Sequence, residues 1–162
     1  MRKTCCYSSK QDLPCIYFIA KDVYLYIGET QKFICNRWSA HLQKNGSFSK
    51  QLKRKDEEAL LADQKISFLS FHLSELEERC EKWEWKKVTQ GIEHLVHLKV
   101  DQSSKITSRF QTISNTIRTA PLHSKYDWIE ELSDNIVKAI ENEFDFFCQS
   151  ELDIVEPSFT RR

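Results

Sequence analysis

Residues 14–41 read PCIYFIAKDVYLYIGETQKFICNRWSAH. Two segments within it, CIYFIA and VYLYI, are rich in β-branched and aromatic residues, with Lys21-Asp22 the only polar break between them. That composition predicts a β-hairpin over residues 15 to 28, turning at Lys21-Asp22 through a loop of two or four residues. In the expected pairing Ala20 faces Val23, Ile16 faces Ile27, and Tyr17 faces Tyr26 directly across the ladder. Side chains alternate along a strand, so Ile16, Phe18, Ala20, Val23, Leu25 and Ile27 share one wholly apolar face, which must be core. The opposite face carries Tyr17, Ile19, Tyr24 and Tyr26, and three of these four can present hydroxyls.

Gly28 is expected to end the second strand and Thr30 to cap the helix that follows. Ile34, Trp38 and Leu42 recur every four residues as a core stripe, and Arg37 and His41 stack on one flank of it at i and i+4. Asn45-Gly46-Ser47 stops this helix. A basic segment, SKQLKRK, comes next, and DEEALLAD reads as a loop or brief helix. KISFLSFHL, residues 65 to 73, predicts a third strand with Ile66, Phe68, Ser70 and His72 on one face. Residues 74 to 100 are helical in character, with a break expected near Thr89 to Gly91. The second part packs through Ile92, Leu95 and Val96, with Glu93 and His97 one flank over. Residues 101 to 121 are polar and irregular. A last helix is expected from Ser124 to about Gln149, with Trp128, Leu132, Ile136, Ile140, Phe144 and Phe147 as its stripe.

The chain of 162 residues suits one domain with a core and an appended element, and 40% apolar with 30% charged residues reads as soluble and globular. No apolar run approaches the ~20 residues of a membrane span, and the basic start lacks a signal-length apolar stretch. A cytoplasmic location is therefore expected. Six cysteines (5, 6, 15, 35, 80 and 148) form no CxxC pair, which argues for free thiols rather than disulfides or zinc. Net charge is zero but segregated. From Thr30 to Lys55 there are seven Lys or Arg (32, 37, 44, 50, 53, 54, 55) and no acidic residue, whereas residues 123 to 157 hold ten acidic residues against Lys125 and Lys138. A basic block of this kind can attract phosphate locally despite a balanced total.

IYFIAKDVYLYIGET followed by RWSAH resembles the GIY-YIG nuclease domain, well over residues 15 to 41 and more loosely over 65 to 97. The resemblance implies an α/β (α+β) fold, a small three-stranded antiparallel sheet flanked by helices, with an extra C-terminal helix here. It implies hydrolysis of phosphodiester bonds in DNA with one divalent metal, Mg²⁺ or Mn²⁺. Tyr17 and Tyr26 match the tyrosines of the two motifs, Arg37 the helix arginine, and His41 the histidine or tyrosine one turn later. Glu93 in GIEHLVHL best fits the metal-binding glutamate, with Glu78 a rival, and Asn115 stands near the place of a family asparagine. The sequence departs from the family where Cys15 replaces the first glycine, where the linker from Gly28 to Arg37 is one residue longer, and in the long connection over 43 to 64.

The chemistry is coherent residue by residue. Phosphodiester hydrolysis needs a deprotonated water, neutralised phosphoryl oxygens and a stabilised leaving oxygen. Arg37 can grip two phosphate oxygens, one Glu carboxylate can hold Mg²⁺ with its waters, and Tyr17, Tyr26 or His41 could take the proton. Lys50, Lys53, Arg54 and Lys55 would contact the backbone of bound DNA without reading its sequence. Taken singly, the tyrosines read as half-buried strand aromatics, Arg37 with His41 as a surface pair, and His94 and His97 as ordinary helix histidines. Trp83 and Trp85 read as packing residues. The ordered combination carries the nuclease reading: residues 1–122 as the nuclease-like domain, 123–162 as a helical extension packed on it or forming a homodimer. The alternative is an inactive module of the same fold that binds nucleic acid or protein.

Overall fold

A computed structural model describes residues 2–3, 13–62, 65–115 and 126–149, with the backbone alone for 2–3 and 144–149. Three seven-residue strands form its centre: β2 (Cys15–Lys21), β3 (Tyr24–Thr30) and β4 (Ile66–His72). Two-residue strands, β1 (Arg2–Lys3) and β5 (Gln111–Thr112), extend the sheet to five in the order β1-β4-β2-β3-β5. The mixed α/β class is as expected, but the sheet is not limited to three strands. It is not wholly antiparallel either, because β5 runs parallel to β3.

The hairpin forms with a different register. Lys21 pairs with Tyr24, so the turn is Asp22-Val23 and Tyr17 faces Gly28 instead of Tyr26. Asp22 has φ 52°, a left-handed conformation that Asp tolerates and that primed hairpin turns need at their first position. Because the slip is two residues, the paired side chains keep their expected faces, but Val23, expected in the core opposite Ala20, falls in the turn and is 47% exposed. Gly28 does not end β3, which continues to Thr30. Thr30 does not cap the next helix; its Oγ1 accepts from the Lys32 N–H (3.0 Å), and the helix cap is Phe33.

Both sheet faces are covered. Ile16, Phe18, Ala20, Leu25 and Ile27 form one core with α5 (Trp85–Gln102) and α7 (Asp127–Gln149). Cys15, Tyr17, Ile19 and Tyr24 form a second with α1 (Ile34–Leu42), α2 (Ser47–Lys55) and α3 (Glu57–Leu61). The tyrosine face is thus a second interior, and Tyr24 is spent on structure: its hydroxyl donates to Asp56 Oδ2 (3.1 Å), while Asp56 Oδ1 caps α3 at the Ala59 N–H (2.9 Å).

Several helix expectations change. In α1 the third inward position is taken by His41, which is buried, and Leu42 is 44% exposed. The basic segment is itself the helix α2, burying Phe48 and Leu52. α5 runs unbroken through Gly91 after the short α4 (Leu76–Arg79), and Ser103 caps the short α6 (Ser104–Thr107). α7 starts at Asp127 and buries Ile129, Leu132, Ile136, Val137 and Ile140 against α5, with Trp128 only partly buried. The side chains of Phe144 and Phe147 lie outside the described residues. Among the described residues Cys15, Cys35 and Cys80 are in no disulfide. Among the described residues no helix is long and apolar enough to cross a membrane.

Candidate active site

Tyr17 is wholly buried in the middle of β2, with its ring over Gly28 on the neighbouring strand. A Cβ built on Gly28 would fall 2.5 Å from Tyr17 Cζ and collide with its hydroxyl. Glycine is needed here for space. The Tyr17 and Tyr26 rings stack at 6.5 Å with an 18° interplanar angle, a diagonal pair on one face of the hairpin.

Helices α1 and α2 bring polar groups to that pair. Gly46 lets α2 begin hard against the end of α1, where a Cβ would strike the backbone of Ala40 and His41. The close turn delivers the Phe48 N–H to His41 Nδ1 (3.2 Å), with Ser47 Oγ 3.1 Å from the same atom. A backbone N–H can only donate, so Nδ1 is an acceptor and the proton of the neutral ring sits on Nε2. His41 Nε2 then donates to the Tyr17 oxygen at 2.6 Å, and Arg37 Nε donates to the same oxygen at 3.2 Å. Burial first, and the Arg37 charge second, hold the His41 pKa down at about 4, in keeping with the neutral ring. Burial raises the Tyr26 pKa, with the nearby Ser47 hydroxyl and the Arg37 charge opposing.

Helix α1, starting at Ile34, thus brings both Arg37 and His41 to the Tyr17 oxygen. With two donors on its oxygen, Tyr17 retains its own proton for a ligand or for loss. Its pKa nevertheless stands well above an ordinary phenol's. Burial raises it most, then Tyr26 and Glu93, against the hydrogen bond and charge of Arg37.

Glu93 lies on α5, one residue from the core residue Ile92, and is nine-tenths buried with no hydrogen-bond partner among the described residues. Burial, and then the charge of Glu29, lift its pKa to about 8, with Arg37 opposing. Its charge reaches both Tyr17 and Tyr26. Glu78, the rival, is exposed on α4 and lines a separate acidic cleft with Glu77, Glu81 and Glu84. Among the described residues no three His, Cys, Asp or Glu converge as a metal cage. An unpartnered, buried carboxylate still fits Mg²⁺ or Mn²⁺, because such an ion keeps several waters and needs only one or two carboxylates.

The remaining expected residues fall elsewhere. Lys50, Lys53, Arg54 and Lys55 are not gathered around Tyr17 but are exposed along α2, and Lys53 pairs with Glu57 at 2.9 Å. Asn115 lines an open cleft of about 1100 Å³ with His94, His97 and Ser114. Ser114 Oγ joins that cleft to β3 by accepting the Ile27 N–H (2.8 Å), with His97 Nε2 3.4 Å away. Trp85 is partly buried as expected, whereas Trp83 is 73% exposed and does not pack. Ser47, Phe48 and Glu29 belong to the site and were not foreseen. Ser47 had a visible signal, a Gly-Ser start before an amphipathic basic run; the backbone donor of Phe48 has none.

No family model, curated protein or solved structure matches the chain.

Proposed function

We propose that the protein is a GIY-YIG-type endonuclease that hydrolyses DNA phosphodiester bonds with Mg²⁺ or Mn²⁺. The observation that carries the reading is the convergence of Arg37 and His41 on the Tyr17 hydroxyl beside Tyr26, within the electrostatic reach of Glu93. Tyr17 receives two hydrogen bonds that would strengthen on its ionisation, so as a phenolate, its own proton first released to solvent, it is the residue best supported as proton acceptor from an attacking water. Arg37 uses only Nε on Tyr17, and its terminal amino groups have no ion-pair partner among the described residues, leaving them for phosphate oxygens. His41, neutral and held at both ring nitrogens, positions Tyr17 instead of acting as the base. A divalent cation on Glu93 would supply neutralisation of phosphoryl charge and stabilisation of the leaving oxygen. Neutralising Glu93 also removes a charge that opposes ionisation of Tyr17. The basic face of α2 supports backbone contact, since α2 starts at the site and its cations extend about 12 Å from it.

The complete burial of Tyr17 favours a second reading, a non-catalytic module binding nucleic acid or protein through the same surface. Supercoiled plasmid with Mg²⁺ or Mn²⁺ separates the two. Nicking by wild type, lost in Arg37→Ala and Glu93→Ala, is the expected result. Equal nicking in all three would sink the assignment, and salt-dependent DNA retention without nicking would favour the module.

A further inference from the structure

We propose that Glu29 is a second carboxylate ligand of the cation held by Glu93, so that the ion joins the end of β3 to the middle of α5. The inference rests on the reading of this site as metal-dependent. Glu29 pairs with Ile16 in the ladder and follows Ile27 by two residues, so it belongs to the sheet face that α5 covers. It is the one charged residue in an otherwise apolar row of Ile16, Phe18, Ala20, Leu25 and Ile27. Glu93 enters the same layer from the helix side, beside Ile92.

Neither carboxylate has an ion-pair partner among the described residues. Glu93 has no hydrogen bond among the described residues, and Glu29 receives one, from Gln31 Nε2 to Oε2 at 3.2 Å. Helix α5 packs on β3, which sets Glu29 and Glu93 on facing sides of one layer. Arg37 feels both carboxylates, but its near bond goes to Tyr17. With both carboxylates ionised, as ligation requires, one guanidinium would leave the cluster at −1, a poor surface for a phosphodiester. A divalent ion turns it to +1. Like charges sharing a partly buried pocket are otherwise unfavourable, and two carboxylates with water completing the shell is an ordinary Mg²⁺ or Mn²⁺ arrangement.

The test is calorimetric titration of Mn²⁺ into the full chain and into Glu29→Gln, Glu29→Asp and Glu93→Gln, each checked for folding by melting in chelator. Ligation predicts that Glu29→Gln and Glu93→Gln each weaken Mn²⁺ by about tenfold or more. Glu29→Asp, which keeps the charge but shortens the reach, should weaken it measurably too. Wild-type affinity in Glu29→Gln, no Mn²⁺ binding by wild type, or loss in Glu29→Gln with full affinity in Glu29→Asp would each overturn the proposal. Plasmid nicking is scored separately. Nicking with Mn²⁺ affinity indifferent to Glu29 removes this proposal and leaves the nuclease. Mn²⁺ bound through both carboxylates without nicking upholds the cation site and removes the nuclease.

Discussion

Gly28 stands directly across the ladder from Tyr17, and the tyrosine ring occupies the space that any side chain at 28 would fill. Gly28→Ala should therefore expel the ring and break its bonds to His41 and Arg37. Strain of this kind costs roughly 1–3 kcal/mol, read as a lower urea midpoint, and activity should fall to that of Tyr17→Phe. A Gly28→Ala protein of unchanged stability and activity would contradict the packing.

Tyr17→Phe removes the acceptor shared by His41 Nε2 and Arg37 Nε. Arg37 is exposed and can turn to water, whereas His41 is 1% exposed and cannot. The buried donor left behind costs about 1–3 kcal/mol. On the proposed function, plasmid nicking should drop to background while DNA retention, assigned there to α2, persists. A double-mutant cycle with His41→Ala by urea unfolding should show coupling between the two positions.

The pH profile of stability follows from three buried groups. His41 and His97 have folded pKa values of about 4, each lowered chiefly by burial, so their contribution is full above the unfolded value near 6.5. It is lost as pH falls from there to about 4. Glu93 runs the other way: with a folded pKa of about 8, its contribution is present below 4.5 and is lost as pH rises through 8. In chelator, wild type should weaken at both ends, and Glu93→Gln should remove the decline between pH 5 and 8. Urea midpoints of the two proteins across pH 4 to 9 check the difference. Parallel curves over that range would refute the burial assigned to Glu93.

Replacing Lys50, Lys53, Arg54 and Lys55 together by Gln should leave stability within about 0.5 kcal/mol, because all four are exposed. If each contacts a phosphate, the slope of log affinity against log salt falls by roughly 3–4. Filter retention over a salt series measures it. An unchanged slope would place the DNA elsewhere.

The two faces of the hairpin, the third strand and the three long helices were legible in the sequence, because apolar periodicity reports which side of an element is buried. The order Tyr17, Tyr26, Arg37, His41 was legible too, as chemistry at strand and helix spacing. Periodicity could not reveal the register, since a two-residue slip preserves the alternation of the paired residues; the turn falls at Asp22-Val23, where Asp22 takes a positive φ that Asp tolerates. Nor could it reveal that the tyrosine face is itself interior, because that depends on α1, α2 and α3 folding back over it. The neutral state of His41 rests on a backbone N–H of Phe48, brought there by the space at Gly46. The proposed cation site would join Glu29 and Glu93, positions 64 residues apart. Local pattern dictates what each element buries. Only the packing of distant elements, which sets contacts and local dielectric, turns Tyr17, His41, Arg37 and Glu93 into one electrostatic unit.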